Sequence, residues 1–365
     1  MQRNDPTIPG RRPWFALPAL IALLLATAAP MTAAERLPVK VVVAAMFENG
    51  ETTGDVPGEL QFWVERLALG TAMSFPLGER DVYLNDDGVM AVLLGGGTAN
   101  ATASVMALGA DPRFDLTNTY WLVAGVAGGD PADLSLGSAA WAKFVVDGDL
   151  AYEIDAREIP AHWPYGMVPL GGSEPADDPA DIYTGWTLDT VVFELDAALV
   201  DWAYALTKDV VIGDSEGIAD YRALFEGYPN AQRPPFVTIG DTLAASTYWH
   251  GRHLNTWAND WVRAYAGDDA NFMTSNMEDS GTLTALRRLD REGIVDADRV
   301  LVLRTASNYT MPPPGKTAQW SRSMPYPDRG LPALEAAFKV GNVVVQALVE
   351  GWDTYAHTLP GRDPE

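Results

Sequence analysis

The sequence contains no cysteine among its 365 residues. No disulfide can therefore form, even in an oxidising compartment, and the fold must be stabilised by its core. The sequence has four histidines, and no His-x-x-x-His pair occurs. Ligand pairs at such spacings are typical of metal sites, so the sequence predicts no bound metal.

Positive charge is also scarce. The chain has 25 Lys and Arg residues against 49 Asp and Glu residues, a formal net charge of −24. A charge of this sign and size repels polyanions and anionic lipid, so neither nucleic acid nor a membrane surface is an expected partner. A phosphorylated substrate would need a local positive site of its own.

Long apolar runs are confined to the N-terminus. The run from Trp14 to Ala29 follows two arginines and precedes Thr32-Ala33-Ala34, a pattern typical of a secretory signal peptide over residues 1–34. An uncleaved anchor is the alternative, although the run is short for a membrane span; no later segment approaches the roughly 20 apolar residues that a span needs. We therefore expect a periplasmic or secreted protein whose mature chain, residues 35–365, is one domain.

Common catalytic signatures are missing as well. The sequence has no Gly-x-Ser-x-Gly, no P-loop and no Gly-x-Gly-x-x-Gly that opens the first helix. These absences argue against a serine hydrolase of the strand-elbow type and against the usual nucleotide-binding loops. The chemistry must depend on carboxylates, amides and backbone groups.

Apolar runs that are typical of strands alternate with helical patterns. Val39–Met46 is almost purely apolar, and Asn85-Asp86-Asp87-Gly88 between two apolar runs predicts a hairpin. The spacing predicts helices over Leu188–Thr207 and Leu331–Trp352. Ile154 to Thr184, rich in Pro, Gly and Asp, is interpreted as a loop or insertion over the rim of a pocket. The order predicts an α/β fold, with a mixed, twisted sheet flanked by helices.

Polar groups follow three of the predicted strands. Gly95-Gly96-Gly97-Thr98 connects a strand to a helix, which can place backbone N–H groups against ligand oxygens; the alternative is a tight turn without a ligand. A second glycine run follows the strand Tyr120–Ala124, and Ser307-Asn308 ends the strand that begins at Val300. Together these groups predict a small-molecule pocket at the carboxyl ends of strands.

In this order, the motifs resemble those of the nucleoside phosphorylase/nucleosidase superfamily, in particular its secreted branch, the purine nucleoside permeases. The resemblance covers residues 38 to 352. It implies a nucleoside phosphorylase-like fold with a pocket for a purine nucleoside or purine base.

The resemblance also implies roles for residues in three loops. Ala45-Met46-Phe47-Glu48 is similar to the loop whose glutamate activates the attacking water, which implies Glu48 as general base. Gly96, Gly97 and Thr98 are similar to the glycine loop near the ribose.

Met277 and Glu278 match a Met-Glu pair that packs on the sugar and accepts hydrogen bonds from its hydroxyls. The alternative for Glu278 is a solvated acid at a helix start.

The purine side of the pocket is implied by two further segments. Tyr248 and Trp249 fall in the segment that supplies a ring against the base, although ordinary core aromatics are the alternative. Ser307-Asn308 stands where many relatives carry Ser-Asp, and that aspartate protonates purine N7 as the bond breaks. Asn308 cannot supply a proton, but its amide can donate a hydrogen bond to N7. Its alternative is a turn residue at the strand end.

The resemblance implies a nucleosidase-like protein that cleaves the N-glycosidic bond with water and needs no cofactor. Phosphorylases often carry an arginine just before the second glycine run, where this sequence has Leu122-Val123-Ala124, so phosphate is not the favoured co-substrate. The alternatives are a phosphorylase and a nucleoside-binding or uptake component, which would pass its ligand to a membrane transporter. Homo-oligomers are common in the superfamily, and one is possible here.

Overall fold

The computed structural model describes residues 36–183, 185 and 188–362. The predicted signal peptide at residues 1–34 lies outside them. The strands within this part of the chain are β1 Leu37–Pro38, β2 Val41–Ala45, β3 Thr71–Met73, β4 Val82–Leu84, β5 Val89–Leu93, β6 Phe114–Asp115, β7 Tyr120–Gly129, β8 Ala139–Trp141, β9 Phe144–Asp147, β10 Ala151–Glu153, β11 Met167–Pro169, β12 Val192–Glu194, β13 Val237–Ile239, β14 Asp241–Ala244, β15 Phe272–Asn276 and β16 Val300–Tyr309. The α-helices there are α1 Gln61–Arg66, α2 Thr98–Gly109, α3 Ala197–Thr207, α4 Glu216–Ala223, α5 Arg252–Ala266, α6 Asp279–Arg291, α7 Ala318–Ser323, α8 Leu331–Glu350 and α9 Trp352–Tyr355.

One mixed sheet organises the described chain. Neighbouring strands follow the order β12-β9-β14-β15-β7-β2-β5-β4-β3, while β16 joins β7 to β8 and β8 pairs with β13. The long central strand β7 is parallel to β2 and β16 and antiparallel to β15. Helix α8 packs on β7 and β16, and α2 packs on α6. The α/β fold with a mixed sheet flanked by helices, which the sequence predicts, is confirmed.

The centre of the sheet is covered on both faces. All five residues of β2 are buried, as expected for an apolar strand without alternation. Val43 on β2, Leu122 on β7 and Leu303 on β16 belong to the main core, together with Val344 of α8. This apolar centre fixes the strand ends, and the strand ends carry the polar residues.

Helix α8 corrects one expectation from the sequence. In the described part of the chain, Pro327–Glu350 is long and apolar enough, by length and composition, to cross a membrane. Half of its apolar window is buried inside the protein. Val340, Val344 and Leu348 face the sheet, so the helix has the packing of a core helix.

Two predicted boundaries are wrong. The segment Leu188–Thr207 does not form one helix: β12 occupies its first half, and α3 begins only after Asp196, whose carboxylate accepts a hydrogen bond from the N–H of Leu199. Strand β7 does not end at Ala124, as predicted, but continues to Gly129.

Other predictions agree with the structure. The turn at Asn85 joins the antiparallel strands β4 and β5, which confirms the predicted hairpin. The last long helix also forms as predicted, as α8.

The described part of the predicted insertion, residues 154–183, packs on α5. The hydroxyl of Tyr165 lies 3.0 Å from the carboxylate of Asp260, and Arg263 lies 3.3 Å from Asp177. Strand β11 within this segment pairs with β10. Thr184, where the insertion was predicted to end, lies outside the described residues.

Candidate functional site

The strand register brings the ends of β15 and β16 to the same residue of β7. Ser275 and Asn308 are both paired with Gly128, one on each side. A side-chain carbon on Gly128 would lie 3.2 Å from the amide nitrogen of Asn308, so glycine makes room for that amide. A β-bulge at Ser307 shifts the register just before Asn308, and bulges commonly direct side chains at functional sites.

Glu278 and the glycine loop meet at the start of two helices. Gly97 has a φ of 88° and precedes α2, while Glu278 precedes α6. The N–H of Gly97 lies 3.3 Å from one carboxylate oxygen of Glu278, and the N–H of Met277 lies 3.2 Å from the other. Glu278 is buried, which excludes the alternative of a solvated helix-start acid.

A serine extends this group towards the next loop. The hydroxyls of Thr98 and Ser246 are 2.7 Å apart, and the N–H of Thr98 donates to Ser246. Gly96 is exposed beside them. The structure thus brings together the residues for which the resemblance implies ribose contacts.

A buried arginine joins Glu278 to two further carboxyl groups. Arg304, on β16, is 1% exposed and pairs with Asp279 through Nε and one terminal nitrogen of its guanidinium. The same group lies 3.5 Å from Glu278 and donates to the carbonyl of Val126. Burial alone would lower the pKa of Arg304, but the carboxylates of Asp279, Glu278 and Glu59 raise it.

Glu59 is the third carboxyl group of this cluster, and the sequence did not indicate it. It accepts hydrogen bonds from the N–H groups of Met46 and Val126, at 2.8 and 2.6 Å. Burial raises the pKa of Glu59 from 4.5 to about 7, opposed by the charge of Arg304. Burial disfavours the charged form of Glu59 and the charge of Glu278 adds to this effect, so the pKa of Glu59 lies near neutral pH.

Gly125 leaves room within the sheet for the side chains of Arg304 and Glu59. A side-chain carbon there would lie 2.6 Å from both Arg304 and Glu59. A strand interior containing glycine often marks such a close approach. The signal that could have identified the cluster is Arg304 itself, because a charge inside the apolar strand Val300–Leu303 requires a buried partner.

Glu48 occupies a different environment. Its carboxylate accepts hydrogen bonds from the backbone N–H groups of Leu60 and Gln61, at 2.9 and 2.6 Å, and from those of Asn49 and Gly58. These contacts tie the loop to the first turn of α1, where a negative charge is favourable. The role of Glu48 as general base stays a prediction, but the structure shows its carboxylate engaged in holding the loop.

The side chain of Asn308 lines a small aromatic cleft. Its amide nitrogen lies 3.2 Å from the hydroxyl of Tyr248 and 3.1 Å from the carbonyl of Tyr309, while its oxygen accepts from Ser307 at 3.1 Å. Tyr326 also lines the cleft, whose volume is about 40 Å³. The N–H groups of Asn308 are therefore directed to the cleft side, and the Ser307 hydroxyl fixes that orientation.

The two candidate aromatic residues are separated by the structure. Tyr248 lies in the cleft beside Asn308. Trp249 belongs to a second core cluster, with its ring centroid 5.6 Å from that of Trp257 and 6.1 Å from that of Phe272. Trp249 therefore has the surroundings of a core aromatic, which was the alternative interpretation.

A model of the purine nucleoside permease family matches residues 38–360. A probable purine nucleoside permease of Schizosaccharomyces pombe is 35% identical over 222 residues, which are 59% of this chain and 62% of that protein. A purine nucleoside permease of Candida albicans is 32% identical over 273 residues, which are 73% of this chain and 65% of that protein. The chain thus spans less than two thirds of the length of these curated relatives.

Solved structures that resemble the chain include two 5′-methylthioadenosine/S-adenosylhomocysteine nucleosidases. The one from Neisseria meningitidis has a TM-score of 0.48 at 15% identity and covers 84% of this chain and 99% of its own. The one from Helicobacter pylori has a TM-score of 0.49 at 13% identity and covers 86% of this chain and 99% of its own.

Proposed function

Because the chain belongs to the purine nucleoside permease family, we propose that it recognises purine nucleosides and cleaves their N-glycosidic bond with water. One observation carries the proposal: Glu59, a buried carboxyl group with a pKa of about 7, shares Arg304 with Glu278. Asn308 lies at the same end of the sheet. Ionisable groups with shifted pKa values that gather at strand ends are candidates for catalysis.

Glu278 is assigned to the ribose. Its carboxylate can accept hydrogen bonds from the 2′- and 3′-hydroxyls, and such charge-assisted bonds are short and strong. The N–H of Gly97 and the guanidinium of Arg304 already hold this carboxylate in place. A rigid acceptor orients the sugar without a cost in side-chain entropy at the moment of binding.

Glu59, rather than Glu48, is assigned the role of general base. A base is most effective when its pKa lies near the working pH, and the pKa of Glu59 is about 7. Its carboxylate takes a proton from water as the water oxygen bonds to C1′. The C1′–N9 bond breaks, and its electron pair leaves with the purine, which takes its proton from solvent. Asn308 donates an N–H to N7 and so stabilises the departing base.

The first experiment asks which nucleophile is used. Purified protein is incubated with inosine, adenosine and guanosine, with and without phosphate, and free base is measured. We expect equal release in both conditions. Release that requires phosphate would show a phosphorylase instead.

The second experiment compares the two glutamates. We expect Glu59→Gln to lower the hydrolysis rate by about 100-fold or more, the usual contribution of a general base. Glu48→Gln serves as the contrasting variant, with unfolding measured in parallel because Glu48 supports the loop before α1. Loss of activity only in Glu48→Gln would return the role of general base to Glu48.

A nucleoside-binding or uptake component is the second candidate. Asn308 favours it, because an amide can recognise N7 but cannot protonate a leaving base. Tight binding of inosine without any release of hypoxanthine would establish this role. Export to the periplasm or the medium, together with any transporter partner or homo-oligomer, stays a prediction.

A further inference from the structure

A histidine that none of the motifs above includes lines the aromatic cleft. His250 lies on the loop between β14 and α5, in the wall that also contains Asn308 and Tyr248. The N–H of Gly251, the next residue, donates to the carbonyl of Thr310 at 2.9 Å. This bond fixes the loop against the end of β16, so the imidazole stays beside the strand end that carries Asn308.

Neither ring nitrogen of His250 makes a hydrogen bond of good geometry within the protein, although both are buried and the backbone of Tyr309 lies close to the ring. A buried polar group without a partner destabilises a protein by about 1–3 kcal/mol. The amide of Asn308, by contrast, already has partners, and its hydrogen bond to the hydroxyl of Tyr248 must be exchanged for the one to N7. The imidazole therefore has free capacity to donate and to accept a hydrogen bond within the cleft.

The protonation state of His250 follows from its surroundings. Burial lowers the pKa of His250 below its ordinary value, by more than the nearby backbone of Tyr309 raises it, and the charges of Arg322 and Arg252 lower it further. The ring is therefore neutral at neutral pH. A neutral imidazole donates from one nitrogen and accepts at the other, and its tautomer adapts to its partner.

We propose that His250 binds the 6-substituent of the purine base and thereby accepts both 6-oxo- and 6-aminopurines. The inference rests on the proposed function, since it requires that the cleft bind a purine. The 6-substituent is adjacent to N7, the atom assigned to Asn308. An imidazole N–H can donate to a 6-oxo group, and the other tautomer can accept from a 6-amino group.

The test measures binding of free bases, which the proposed reaction cannot consume. Calorimetry with hypoxanthine, adenine and unsubstituted purine is carried out on the wild type and on His250→Phe, which keeps a ring but removes both nitrogens. We expect the wild type to bind hypoxanthine and adenine with dissociation constants within about tenfold of each other. His250→Phe should weaken both by about tenfold, the loss of one hydrogen bond, and should leave unsubstituted purine within about twofold.

Two further variants separate recognition from folding. His250→Gln restores a donor and an acceptor and should recover affinity to within about threefold of the wild type. His253→Phe is the matched control, because His253 is an exposed histidine on the first turn of α5 and does not line the cleft. It should bind all three bases as the wild type does.

Each contrary result has a distinct meaning. Unchanged binding of hypoxanthine and adenine by His250→Phe would overturn the inference and leave the proposed function intact. An equal loss for unsubstituted purine would assign His250 a structural role and also overturn it. A wild type that binds none of the three bases would overturn the proposed function together with this inference.

Discussion

The buried carboxyl of Glu59 predicts how the stability of the protein changes with pH. Burial raises the pKa of Glu59 from 4.5 to about 7 in the folded protein. Between these values the unfolded chain has released the proton while the folded protein still holds it. The contribution of Glu59 to the free energy of unfolding therefore falls as the pH rises from about 4.5 to about 7, by ~1.4 kcal/mol per unit and about 3 kcal/mol in total. Below about pH 4.5 this loss is absent.

The variant Glu59→Gln isolates this effect because glutamine cannot ionise. The amide can keep only one of the two backbone hydrogen bonds from Met46 and Val126, which costs about 1 kcal/mol at every pH. Relative to the wild type, the variant should therefore gain about 3 kcal/mol between about pH 4.5 and about pH 8. Only the change with pH is diagnostic, since the lost hydrogen bond shifts all points equally.

The assay is urea unfolding at a series of pH values, followed by tryptophan fluorescence. Glu65→Gln is the matched control, because Glu65 is an exposed glutamate in the same segment whose carboxylate also accepts two hydrogen bonds, from the N–H of Gly54 and the amide of Gln61. If the difference in free energy of unfolding between Glu59→Gln and the wild type stayed constant from about pH 4.5 to about pH 8, the proposed protonation of Glu59 would be refuted.

The remaining predictions concern turnover, ribose binding and the two aromatic residues. Only ionised Glu59 accepts a proton, so release of free base should rise through about pH 7 and then level off; a flat profile would exclude Glu59 as the base. Glu278→Gln should weaken inosine binding in calorimetry by about 10- to 100-fold and 2′-deoxyinosine binding by less, and equal losses would contradict a diol contact. Trp249→Ala should lower the free energy of unfolding by about 3 kcal/mol and leave the affinity for the purine unchanged. Tyr248→Phe should weaken the affinity and leave the free energy of unfolding unchanged. Opposite results would return Trp249 to the site.

The elements that the sequence predicted well depend on local patterns. The apolar strand β2, the hairpin at Asn85 and the long helix α8 each carry their signal within a short stretch. The start of α3 also has a local signal, Asp196 as its capping residue, which the apolar spacing over Leu188–Thr207 obscured. Strand β15 was missed because its alternating residues include polar side chains.

The candidate site depends on contacts that no local pattern contains. Glu278 was assigned from a two-residue motif, and the structure places it against Gly97 as that motif implies. Glu59 could not be assigned in this way, because its pKa depends on burial and on Arg304, which lies far along the chain. Glu48, which belongs to the family motif after β2, has its carboxylate held by four backbone N–H groups, against two for Glu59.

The small size of the cleft at Asn308 has a kinetic consequence. Its volume of about 40 Å³ has room for about one water molecule, whereas pockets for small ligands are on the order of 300 Å³ or more. Met324 and Tyr326, which lie between α7 and α8, form part of its wall, and we therefore expect a base to enter only when this segment moves. Opening is then a first-order step that precedes binding. The observed association rate should reach a plateau at high ligand concentration, and the plateau should be the same for every purine.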